Sequence, residues 1–154
     1  AALRIRHTVL FEEGIWAVSG ESTGQNGAAV PVEGSARITH EAMVWRNRGV
    51  MTLIQPSGDI EIKNDYEIAP FEDGSDFTAW RAENPALGKL SGLFVVVDDS
   101  IISTISSEDG KVSGIEYLRK VSENHYMSRG FIFRGEEKLS SWAAELVRRT
   151  GALH

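Results

Sequence analysis

Between residues 60 and 68 the chain alternates with a period of two. Ile60, Ile62, Tyr66 and Ile68 are apolar, while Glu61, Lys63, Asp65 and Glu67 are charged. Successive side chains of a strand point to opposite faces, so this pattern predicts a strand with one buried and one solvated face. Residues 30–40 repeat it, with Val30, Val32, Ala36, Ile38 and His40 opposite Glu33, Arg37 and Thr39. The run Leu93-Phe94-Val95-Val96-Val97 is apolar on both faces, which asks for a cover on its outer side.

Turn signals separate such segments at 12–14, 23–27, 56–59, 72–76, 84–85, 98–99, 108–110 and 122–124. They combine Gly and Asn, which tolerate positive φ, with Pro, Asp and Ser. Short segments rich in Val, Ile, Thr and aromatic residues, punctuated in this rhythm, predict an antiparallel all-β sandwich or barrel. Residues 137–149 read differently. Leu139, Trp142, Ala143, Leu146 and Val147 fall at the spacing of one helical stripe. Glu136 and Glu137 stand before them, Arg148 and Arg149 at their end, and Gly151 just beyond, as a helix dipole and cap require. The expectation is eight to ten antiparallel strands and one C-terminal helix that covers the barrel wall.

Composition narrows the classes. A chain of 154 residues with 42% hydrophobic and 25% charged residues suits a single folded domain over 1–154. A net charge of −6 argues against nucleic acid or an anionic membrane as partner. No apolar run is long enough for a membrane span. Without cysteine there is no disulfide, thiolate catalysis or thiolate-held metal. The first residues, AALRIRH, carry neither a signal-peptide core nor an initiator Met, so cytoplasm is the default and a removed leader stays open.

Gly14-x-Trp16 at the start of the first strand, a Gly-rich loop over 19–29 and a closing helix at 137–149 together resemble the calycin superfamily, on its lipocalin side. The resemblance implies an antiparallel barrel of 8–10 strands whose cavity holds a small hydrophobic ligand. It also implies that Trp16 is structural, plugging the barrel floor, and that Arg129 stacks on it. The usual Thr-Asp-Tyr triplet is absent; Val97-Asp98-Asp99-Ser100 occupies that region.

In such a barrel, chemistry belongs on inward positions. Trp45, Asn47, Tyr66 and Trp80 are candidate walls, and Tyr117 with Arg119 a candidate anchor for an acidic ligand end. Trp45 and Asn47 alternate with Arg46 and Arg48, and Met51 and Leu53 continue the Trp45 face. His40, Tyr66 and Tyr117 are candidate acid–base groups if the barrel is a cofactor-free isomerase, cyclase or dehydratase. His40 also fits a satisfied core histidine. None of His7, His40, His125 and His154 has metal-ligand spacing to another, so no metal and no cofactor are expected. Asp73-Gly74-Ser75-Asp76 reads as a turn rather than a calcium loop. A third reading is a side-chain-filled barrel that forms homo-oligomers through an outer face carrying Arg46, Arg48 and Arg81.

Overall fold

The computed structural model describes residues 5–149. Ten strands follow one another: β1 Gly14–Thr23, β2 Ala29–His40, β3 Trp45–Leu53, β4 Ile60–Ile68 and β5 Phe77–Asn84. Then come β6 Gly88–Val97, β7 Ser100–Ser107, β8 Val112–Ser122, β9 His125–Arg134 and β10 Glu137–Arg148. Each pairs antiparallel with its sequence neighbours, and β10 pairs with β1, closing the sheet into a barrel. Closure leaves no long free strand edge.

The expected C-terminal helix is a strand. Residues 137–148 form β10, bonded to β9 on one side and β1 on the other. Of the positions that fit a helical stripe, Trp142 and Leu146 face inward with Ala144 between them at a period of two, while Ala143 and Val147 face out. Two open edges, on β1 and β9, outweigh the helix propensity of the Ala and Glu residues between them. Among the described residues there is no helix. The proposed cap Gly151, and His154, lie outside the described residues.

One end of the barrel is sealed. Residues 7–11 fold across it in a turn closed by Glu12 N–H donating to the Thr8 carbonyl, at 2.9 Å. Leu10 in this turn takes a φ of +70° while buried. His40 Nε2 faces its carbonyl at 2.7 Å, and so donates to it. Below lie Trp16, Ile38, Ile68, Ile101 and Tyr126, all essentially inaccessible. The Thr8 amide donates to the Tyr126 hydroxyl. That hydroxyl lies 2.7 Å from His7 Nδ1, while His7 Nε2 lies 2.9 Å from the Asp98 carbonyl. A carbonyl only accepts, so Nε2 carries the proton and Nδ1 accepts from Tyr126. Burial holds the pKa of His7 below its ordinary value, which keeps this neutral form.

Among the described residues no helix covers the outer wall over β5–β9. Phe77, Leu93, Ile115, Tyr117 and Phe131 stand exposed there.

Candidate functional site

The half of the barrel away from the seal has a different interior. Asn47, Met51, Ile62, Asn64, Tyr66, Glu116, Ile132 and Trp142 occupy inward positions, yet each keeps accessible area. Tyr66 and Glu116 lie deep among the strands and still keep accessible area.

Glu116 is the central group. It lies on β8, level with Ser103 of β7 and Gly130 of β9, and Gly130 is level with Trp142 of β10. A Cβ on Gly130 would lie 2.2 Å from the Trp142 ring, so the bare backbone there lets the indole cross β9. The indole Nε1–H reaches Glu116 Oε2 at 3.1 Å, and Ser128 Oγ donates to the same oxygen at 2.9 Å. Glu116 Oε1 has no partner among the described residues. Burial pushes the carboxyl above the usual carboxylate range, and the two donors only partly offset it.

Tyr66 and Asn47 face each other across β4 and β3. The Asn47 Oδ1 atom is buried with no hydrogen-bond partner. Burial first, and then the Glu116 charge, pushes the Tyr66 phenol well above its ordinary value, so it stays a neutral donor. Its ring packs on Trp80 at 4.9 Å, and Trp80 Nε1–H donates to Ser103 Oγ at 3.0 Å. Asn47, Tyr66, Trp80, Ser103, Glu116 and Trp142 thus ring the lumen.

The other expected residues fall elsewhere. Trp45 stacks on His40 at 3.9 Å and packs with Phe11 and Phe71 against the seal. Tyr117 and Arg119 point outward, because Glu116 and Leu118 take the inward positions of β8. Arg119 pairs with Asp99 at 3.2 Å on the outer wall, so it anchors nothing in the lumen. The Ser100 hydroxyl and then Arg119 hold the Asp99 carboxyl below its ordinary value. The cation over Trp16 is Arg148, 5.5 Å from the ring centroid, and not Arg129. Strand β10 brings Arg148 level with Trp16, whereas Arg129 is level with Ala143 and donates to the Ser128 carbonyl. Arg148 also bonds Glu12 at 2.8 Å, which holds that carboxyl low.

Ser103, Glu116 and Trp142 are the lumen residues that sequence reasoning missed. Glu116 is the lone carboxylate on a strand whose opposite face looks apolar, and Trp142 sits in the segment that reads as helix. Among the described residues no cluster of His, Cys, Asp or Glu is suited to hold a metal.

The barrel is similar to solved structures. An S-type phycobiliprotein lyase from Guillardia theta superposes with a TM-score of 0.64 at 11% identity, over 91% of this chain and 89% of that one. A redesigned β-barrel gives a TM-score of 0.43 at 14% identity, over 96% of this chain and 99% of that one. No family model and no curated protein sequence matches. The likeness to the lyase is one of fold: a closed antiparallel barrel, here of ten strands.

Proposed function

We propose that the barrel binds a small, mostly apolar molecule in its lumen and fixes it through a hydrogen-bond donor, an N–H or protonated nitrogen, on Glu116. The observation that carries this is the Glu116 carboxyl itself, set among aromatic rings with Oε2 held by Trp142 and Ser128 and Oε1 accessible and without a partner among the described residues. A carboxylate oxygen that faces an aromatic interior gains more from a ligand donor than one in open water does, because hydrogen bonds to charged groups are the strong ones. Asn47 Oδ1, level with Tyr66 on the far wall, also lacks a partner but is closed off by its neighbours. The free acceptor oxygen of Glu116 favours a donor on the ligand and disfavours the acidic end that Arg119 suggested. The likeness to a phycobiliprotein lyase supports the scaffold only, at the level of the fold.

The test uses N-phenylnaphthylamine, a neutral aromatic probe with one N–H donor whose fluorescence rises in apolar surroundings. The parent protein is expected to bind one equivalent. Glu116→Gln keeps the shape and loses the charge, and should weaken binding at least tenfold, the difference between a charged and a neutral hydrogen bond. Unchanged affinity in that variant would sink the assignment.

A further inference from the structure

The wall of the barrel has one weak join. Strand β4 has nine residues, but only Asp65–Ile68 pair with β5, against Trp80–Glu83. Every other ladder holds at least six pairs. Beyond Asp65 and Glu83 the next inward residues are Asn64 and Asn84, and a side-chain bond joins them instead of backbone. Asn84 Nδ2 donates to Asn64 Oδ1 at 3.2 Å. The same Asn84 accepts at its Oδ1 from the amides of Ala86 and Leu87, at 2.8 and 3.0 Å. That fixes the β5–β6 turn with Leu87 packed inward.

The space around this join is open. Outside it lies a hollow of about 380 Å³, lined by Arg48, Gly49, Lys63, Asn64, Glu83 and Asn84 among others. Gly49, level with Asn64, puts no side chain in the way. A second hollow of about 640 Å³ lies along the same ladder and includes Ala82 and Leu90. Inside, Asn64 stands two residues from Tyr66 on one inner face, so a molecule passing the join meets the lumen polar groups directly.

We infer that this notch between β4 and the β5–β6 turn is the portal to the lumen, with the Asn64–Asn84 bond as its latch and Leu87 as its stopper. The inference rests on the lumen-binding reading above. A single neutral side-chain bond opens at far lower cost than a backbone ladder shared by six or more residue pairs. The notch therefore regulates how fast a ligand enters and leaves, and not how tightly it is held.

The experiment uses a double variant, Asn64→Cys with Asn84→Cys. The chain has no cysteine, so the two new thiols have only each other. After oxidation, confirmed by mass, stopped-flow binding of N-phenylnaphthylamine should slow at least tenfold in both association and dissociation. The equilibrium affinity should stay put, and reductant should restore the rates. Asn64→Ala removes the latch alone and should speed both rates severalfold; it decides the matter if the disulfide does not close. Parent-like rates in the oxidised pair or in Asn64→Ala would overturn the portal. If the parent fails to bind, or binds with no dependence on Glu116, the lumen reading fails and the portal falls with it. If Glu116 matters while the rates ignore the latch, only the portal fails.

Discussion

Gly130 is where one missing side chain does the most. Its bare backbone lets the Trp142 indole lie across β9 and donate to Glu116. In Gly130→Ala the new Cβ meets that ring and also the Ile115 carbonyl at 2.8 Å, so something must shift. Overpacking of this kind costs about 1–3 kcal/mol, and urea denaturation should read it. Full stability in that variant would mean that the ring is not held against the strand. Trp16→Ala removes the largest sealed side chain and should cost about 3–5 kcal/mol by the same measurement. Two titrating residues act with opposite sign. His7 has a lowered pKa, so the folded chain resists protonation more than the unfolded one. Its contribution is complete above the ordinary value of 6.5 and is lost as pH falls below it. Glu116 has a raised pKa, so stability is lost as pH rises through the ordinary value of 4.5 towards the folded one. Melting curves against pH should therefore show a rise from pH 5 to 7 that His7→Gln flattens, while Glu116→Gln raises stability at neutral pH.

At the scale of the element, β8 and β10 show what a sequence reveals and what it hides. The strands 30–40 and 60–68 were legible because their two faces differ plainly in polarity, and their parity was right. Asn47, Tyr66 and Trp80 were legible for the same reason. Strand β8 inverts the rule: Ile115, Tyr117 and Val121 face solvent, and Glu116 faces the lumen. A polar group needed inside a barrel breaks the local pattern, and so the binding candidates on this strand came out one residue off. Strand β10 misled for another reason. Its twelve residues carry good helix formers, and only the two edges it joins, far away in sequence, make it a strand. Shortening the chain before Glu137 tests this. A barrel that merely lost a covering helix would stay folded. Loss of β10 should instead expose the β1 and β9 edges and give aggregates by size-exclusion chromatography.

For the whole molecule, the sealed end and the hollow end divide the labour. The seal is held by His7 to Tyr126 and Asp98 and by His40 to Leu10, against a packed aromatic floor in which the Trp16 indole Nε1–H is buried without a partner. The hollow end keeps an accessible carboxylate oxygen, Glu116 Oε1, without a partner among the described residues, under a wall with one weak join. That gradient was not legible in the sequence, because it depends on strands closing in register around a common axis. It is directly testable, since the four tryptophans sample both ends. Each gives one indole N–H signal in a nitrogen–proton NMR spectrum. On titration with N-phenylnaphthylamine the Trp142 signal should shift and saturate at one equivalent, while that of Trp16, sealed in the floor, stays in place. A Trp142 signal that ignores a bound probe would contradict binding in the lumen.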